Sequence, residues 1–160
     1  MIKANIVIDK KIWEKKLKKP EIYFKKKLNK LSKFNTFKNK NQEFTVMLTN
    51  SKKMKDLNSK FRNKNVSTDV LSFPLKMKLK NKIYLGDIAI SFEIINRRAK
   101  LSSFDHELDK MWIHGYLHLL GHDHKKNEDY YLMKKKENLI FKKLNKINLN
   151  LFLKIKRSYF

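Results

Sequence analysis

The sequence contains no cysteine, which excludes disulfide bonds and thiolate metal ligands. Any metal site must therefore use histidine or carboxylate side chains. No segment approaches the ~20 apolar residues that a membrane-spanning helix needs, so we expect no membrane partner. The first residues also lack a basic region followed by a long apolar run. We therefore predict no signal peptide and expect a cytoplasmic protein.

Acidic residues are few, with 15 Asp and Glu against 39 Lys and Arg, giving a net charge of +24. This balance favours a polyanionic partner such as nucleic acid. Lysine supplies most of it, since the arginines are only Arg62, Arg97, Arg98 and Arg157. Abundant asparagine, isoleucine and phenylalanine, with scarce glycine and proline, are typical of a protein encoded in an A/T-rich genome. Part of the charge is thus attributable to composition, and the arginines are more informative than the lysines.

The 160 residues suffice for one domain with a real core and are short for two. Alternating apolar residues predict strands over residues 2–9, 43–49, 70–74 and 83–91. Helical spacing predicts helices within residues 10–34, divided at Pro20, and over residues 52–61, 92–100, 104–120 and 128–144. This order predicts a single α+β (α/β-like) domain over residues 1–160, with the helix at 104–120 central and buried. Residues 145–160 form an extension that fits a tail strand, an anchor on the core or a partner contact.

Four of the five histidines fall within eleven residues. His114 and His118 are four apart, so a helix places both on one face. Gly121 can end that helix in a left-handed turn, after which the chain can fold back and offer His124. Three imidazoles that leave one position open are the ligand set of a catalytic zinc site, although nickel or another divalent transition metal also accepts such ligands.

The same spacing occurs in the metzincin proteases, whose pattern is His-Glu-x-x-His-x-x-Gly-x-x-His. In those enzymes the glutamate is the general base, and here Gly115 takes its place. This argues against peptide hydrolysis. The fourth histidine of the segment, His122, fits a surface residue, a group that orients a metal ligand, or a substrate contact.

Three blocks of sequence resemble the YbeY-type endoribonucleases, also called rRNA maturation factors. The first joins residues 57–62 (Leu-Asn-Ser-Lys-Phe-Arg) to residues 68–74 (Thr-Asp-Val-Leu-Ser-Phe-Pro). The second is residues 85–88 (Leu-Gly-Asp-Ile), and the third is the histidine segment at residues 114–124. They follow the family's order and cover most of the chain from about Leu57 to Met133.

The resemblance implies a small mixed β-sheet flanked by helices, with zinc bound by His114, His118 and His124. It also implies that Arg62 is a functional residue in the cleft above the metal. The implied activity is single-strand RNA hydrolysis during maturation of the small-subunit rRNA 3′ end. The implied partners are precursor rRNA and the small ribosomal subunit or one of its proteins. The family commonly has tyrosine where this chain has His122, which leaves the ligand set intact.

Phosphodiester cleavage needs groups that bind phosphate and offset its charge. Arg62 suits this task because a guanidinium forms paired hydrogen bonds with phosphate oxygens. Asn58, four residues earlier, can orient Arg62, bind phosphate or be a surface amide. Three carboxylates are candidates for orienting a histidine ligand or, at residue 69, for a general base, and each has a structural alternative as a turn, cap or strand-end residue. They are Asp69, Asp87 and Asp123.

Two functions therefore remain open besides the disfavoured metalloprotease. One is a zinc-dependent endoribonuclease acting in ribosome biogenesis. The other is a ribosome-assembly binding factor whose zinc is mainly structural and which cleaves little. The effect of replacing Arg62 on RNA processing discriminates between them.

Overall fold

The computed structural model describes residues 1–123 and 127–145. This part of the chain forms four strands, five α-helices and one short 3₁₀ helix at Lys11–Lys15. The strands are β1 (Ile2–Ile8), β2 (Gln42–Thr49), β3 (Val70–Leu79) and β4 (Lys82–Ser91). The α-helices are α1 (Pro20–Leu31), α2 (Ser51–Arg62), α3 (Phe92–Arg98), α4 (Phe104–Leu119) and α5 (Asn127–Asn145). The predicted α+β class is confirmed. Beyond Asn145, the C-terminal extension lies outside the described residues.

The strands form one mixed sheet in the order β1-β2-β4-β3. β1, β2 and β4 run parallel, and β3 pairs antiparallel with β4 as an edge strand. Parallel neighbours need crossover connections, and the 3₁₀ helix with α1 supplies the one between β1 and β2. None of the helices in the described ranges is long and apolar enough to cross a bilayer.

The predicted end of the third strand at residue 74 is wrong. The strand continues through Pro74, which pairs with Gly86, and Met77 to Leu79 also pair with β4. Proline is tolerated here because β3 is an edge strand, where a missing N–H breaks no inner ladder. A shift of register between Pro74 and Met77 marks the irregularity.

The two faces of the sheet are covered by different helices. On β4, Ile88 and Ile90 belong to the main core, whereas Ala89 between them belongs to a smaller cluster with Met54 of α2. Because side chains alternate along a strand, α2 lies on the opposite face from the main core. That core includes Trp112, Tyr116 and Leu117 of α4, which confirms α4 as a buried helix.

Helix α4 lies so close to the sheet that Gly115 has no room for a side chain. A Cβ built on Gly115 would lie 2.9 Å from Ile88 Cγ2 and 3.1 Å from Ser72 Oγ. The Ser72 hydroxyl donates a hydrogen bond to the carbonyl oxygen of Gly115 at 3.3 Å. The sheet therefore occupies the space that a side chain would need at this position, where metzincins have their glutamate base.

We expect Gly115→Val to lower the free energy of unfolding by about 2–3 kcal/mol, because Ile88 is fully buried and its branched side chain cannot move aside. This corresponds to a fall in Tm of about 5–10 °C for a chain of this size. Lys110→Val, on the exposed side of the same helix, controls for the lower helix propensity of valine. Equal melting temperatures for the two variants would contradict the close approach of α4 to the sheet at Gly115.

Candidate metal centre

Two of the predicted metal ligands meet in the structure. His114 and His118 lie one turn apart on α4, and their Nε2 atoms are 3.0 Å from each other. Both side chains line the same cleft. The rings sit on a helix packed against the sheet, so their positions are fixed by the core rather than by a surface loop.

The Nδ1 atoms of both rings are held by hydrogen bonds. His118 Nδ1 donates to the carbonyl oxygen of His122 at 2.8 Å. His114 Nδ1 lies 2.7 Å from Glu137 Oε1 on α5. Burial raises the pKa of Glu137, but hydrogen bonds from His114 and Lys134 outweigh burial and hold that pKa below its ordinary value. Glu137 is therefore ionised and can accept from His114 Nδ1, an arrangement that leaves the Nε2 atoms of both rings facing each other.

This arrangement fits a bound metal ion. Two nitrogen ligands on one tetrahedral zinc ion lie about 3.3 Å apart, close to the separation of the two Nε2 atoms. Hydrogen bonds from the remote ring nitrogens to a carboxylate and a carbonyl are typical of zinc-bound histidines. Within residues 1–123 and 127–145, no three His, Asp or Glu side chains are grouped so that they could hold a metal ion. The third predicted ligand, His124, lies outside the described residues, so its role stays a prediction.

The two histidines open onto a cleft of about 900 Å³. It lies between the end of α4, the edge strand β3 and the loop after α2. Seven of the nine site residues predicted from the sequence line it: His114, His118, Asn58, Arg62, Asp69, His122 and Asp123. Residues more than fifty positions apart in the chain thus share one cavity.

Arg62 reaches the cleft from the end of α2. The helix stops there because Asn63 adopts a left-handed conformation, with φ of 55°. The Arg62 Nη2 atom donates to the carbonyl oxygen of Ser72 at 3.1 Å, which places the guanidinium at the cleft wall. Asn58 is buried at 4% exposure, and its Nδ2 donates to the carbonyl oxygen of Val66 at 2.8 Å. Asn58 is thus a support for the loop rather than a surface amide.

The three candidate aspartates have different surroundings. Asp69 forms an ion pair with Arg98 at 2.6 Å, and this contact outweighs burial and lowers the pKa of Asp69. Asp87 is absent from the described lining of the cleft, and its carboxylate accepts a hydrogen bond from Tyr84. Asp123 lines the cleft at the turn after α4. Among the described contacts, the carboxylate that accepts a hydrogen bond from His114 Nδ1 is that of Glu137.

His122 contributes to the site through its backbone as well as its ring. Its carbonyl orients His118, and its Nε2 lies 3.0 Å from Lys136 Nζ. Burial and the positive charges of Lys136 and Lys76 lower the pKa of His122. The ring is therefore neutral at neutral pH and accepts a hydrogen bond from Lys136.

Glu137 is the residue that the sequence analysis missed. It lies four residues after Met133 and three before Ile140, both of which are buried on α5. A carboxylate within the apolar stripe of an amphipathic helix signals a buried partner, because an ionised group is costly to bury alone. The sequence shows that Glu137 lies in this stripe, but it does not show which group would be its partner.

Comparisons with known proteins agree with this geometry. Residues 7–145 match the family model described as Endoribonuclease YbeY. A protein named Endoribonuclease YbeY from Pelagibacter ubique is 44% identical over 89% of this chain and 95% of its own length. A protein of the same name from Ehrlichia canis is 35% identical over 93% and 94%. The solution structure of a Thermotoga maritima protein matches with a TM-score of 0.57 at 26% identity, covering 90% of this chain and 89% of the other.

Proposed function

The chain belongs to the YbeY endoribonuclease family, and from this we propose that it is a zinc-dependent endoribonuclease that hydrolyses phosphodiester bonds in RNA. The proposed substrate is precursor small-subunit rRNA, cleaved in the cytoplasm during maturation of its 3′ end. The small ribosomal subunit or one of its proteins is the proposed partner. RNA as substrate agrees with the net charge of +24.

One observation carries the proposal. The converging Nε2 atoms of His114 and His118 share a cleft with Arg62. A cation site and a guanidinium in one cavity are the two features that a phosphodiester needs, because its negative charge increases as the bond breaks. The cleft also contains Lys64, which adds attraction for the RNA backbone.

His114 and His118, with His124 as the expected third ligand, would hold the ion. When bound, zinc supplies Lewis acidity that offsets charge on the phosphate and makes water nucleophilic at neutral pH. Arg62 has five N–H donors, of which Ser72 engages one in the described contacts, so the guanidinium can still pair with phosphate oxygens. Glu137 keeps the His114 ring in the tautomer that a metal ligand needs.

The test begins with metal analysis of protein purified without a histidine tag. Cleavage of precursor small-subunit rRNA is then compared with and without chelator, for the native protein and for His114→Ala. We expect one zinc ion per chain, cleavage that chelator abolishes, and a folded but inactive variant. If chelator lowers Tm sharply while RNA processing in cells survives Arg62→Ala, the zinc is structural and the protein is an assembly factor.

Glu137 provides a prediction about metal binding itself. We expect Glu137→Ala to weaken zinc affinity about 10- to 100-fold, because the His114 ring loses the acceptor that orients it. Glu137→Gln keeps an oxygen acceptor without the charge, so its zinc affinity should lie between those of Glu137→Ala and the native protein. Competition with a chromophoric chelator measures the affinity. Glu128→Gln, at the exposed start of α5, is the matched control, and a loss of the same size there would refute the role of Glu137.

A further inference from the structure

Phe61 is an exposed aromatic residue at the end of α2. Of the phenylalanines in the described part of the chain it is the most exposed, at 54%. Its ring packs edge-on against Phe73 of β3, with 5.2 Å between ring centroids. About half of the Phe61 side chain is therefore accessible for contact with a ligand.

Phe61 and Phe73 are not part of the described cleft lining but adjoin it in the chain, and we call this pair of rings the rim of the cleft. Arg62, the next residue, lines the cleft, and so do Ser72 and Pro74, the two neighbours of Phe73. The pair of rings is therefore flanked in both segments by cleft residues. A strand of RNA whose phosphate met Arg62 would bring an adjoining base to this rim.

The surroundings of Phe61 are basic. Lys60 Nζ lies 5.4 Å from the centroid of its ring, and Lys64 lines the cleft on the other side of Arg62. From Ser51 to Lys64 the chain has six Lys and Arg residues and a single carboxylate, Asp56. The contact between an exposed ammonium and a ring is weak, so a base can displace Lys60, whose charge then remains available to the backbone.

We propose that Phe61 is a stacking platform for a nucleobase of single-stranded RNA, next to the phosphate that Arg62 binds. Aromatic rings bordered by lysine and arginine are a general means of binding unpaired nucleotides, since each base offers a π face and each phosphate a charge. The excess of positive charge around Phe61 favours RNA as the ligand over a protein partner with few acidic residues. The proposal rests on the proposed function, because RNA is the assumed ligand.

The experiment uses a short single-stranded RNA containing 2-aminopurine, whose fluorescence is quenched on stacking. Stopped-flow mixing reads the quenching before cleavage, and steady-state cleavage gives KM and kcat. Phe61→Leu keeps apolar contact with Phe73 and removes the π face, whereas Phe61→Trp retains one. We expect Phe61→Leu to raise KM about tenfold, to leave kcat within twofold of the native value and to abolish the quenching. Phe61→Trp should keep the low KM of the native protein.

Tyr131→Leu is the matched control, since Tyr131 is also an exposed aromatic residue, at 71%, and neither it nor its two chain neighbours belong to the described cleft lining. Duplex RNA is the second control, because its paired bases cannot stack on the protein, and Phe61→Leu should leave its affinity unchanged. Binding of the single strand by Phe61→Leu within twofold of the native protein would overturn the platform, as would an equal loss in Tyr131→Leu. Quenching without any cleavage would count against the proposed function alone.

Discussion

Arg62→Ala should reduce kcat/KM for RNA cleavage at least about 100-fold while leaving zinc affinity unchanged. The reason is that a positioned donor facing developing negative charge contributes about 10²–10³ in rate. Arg62 lies in the cleft with His114 and His118 and is not adjacent to either in sequence. Steady-state cleavage of single-stranded RNA measures the loss, and competition with a chelator measures zinc binding.

The lysine variant separates charge from geometry. Lysine retains the positive charge but cannot form the paired hydrogen bonds of a guanidinium, so Arg62→Lys should recover only part of the activity. Arg97→Ala, at an arginine on α3 that is not among the described cleft residues, serves as the control. Loss of the single bond to Ser72 should cost about 0.5–1.5 kcal/mol of stability, so melting curves must accompany the kinetics. Activity of Arg62→Ala within threefold of the native protein would exclude a role in phosphate binding.

The elements of the fold could be predicted because each has a clear local pattern. The alternation in residues 43–49 and the helical spacing in residues 104–120 match β2 and α4 closely. The prediction failed at Pro74, where local sequence indicated an end and the strand continued. Whether proline ends a strand depends on whether that strand lies at the sheet edge, which is a property of the whole topology.

The site could be predicted to the extent that its residues are close in sequence. His114 and His118 follow from helix geometry alone, and their Nε2 atoms do converge. Asp87 was a candidate to orient a histidine, yet Glu137 does so from a helix that begins after the turn. The contact depends on how α5 packs against α4, and no local pattern encodes that packing. Of the alternatives for Asn58, the surface amide is wrong, because the side chain is buried and donates to the carbonyl oxygen of Val66 in the loop after α2.

A buried ionic network near the other end of α4 connects α4 with α1 and α5. The Asp109 side chain is fully buried and accepts hydrogen bonds from Tyr23 and Lys27 of α1 and from Trp112 of α4. Lys27 also donates to Asn145, the last residue of α5, at 2.7 Å. One carboxylate thus links the helix of the histidines to α1 and, through Lys27, to the helix of Glu137.

We therefore expect Asp109→Ala to lower the free energy of unfolding by about 3–5 kcal/mol, because Lys27 would be left charged and largely buried without its carboxylate. The corresponding fall in Tm is about 10 °C. Chemical denaturation and calorimetry measure both quantities. Asp105→Ala is the control, since Asp105 lies exposed in the first turn of the same helix and should cost about 0.3–1 kcal/mol through the helix dipole alone.

The combination Asp109→Leu with Lys27→Met distinguishes lost packing from an unpaired charge. Replacing both ionic partners by apolar side chains of similar size is often neutral, so this variant should recover much of the stability lost in Asp109→Ala. A shift of under 2 °C in Asp109→Ala, against the ~10 °C expected, would show that the network contributes little. If stability returns in the double variant but its zinc affinity is lower than that of the native protein, the ionic network also aligns α4 with α5 and so brings Glu137 to His114.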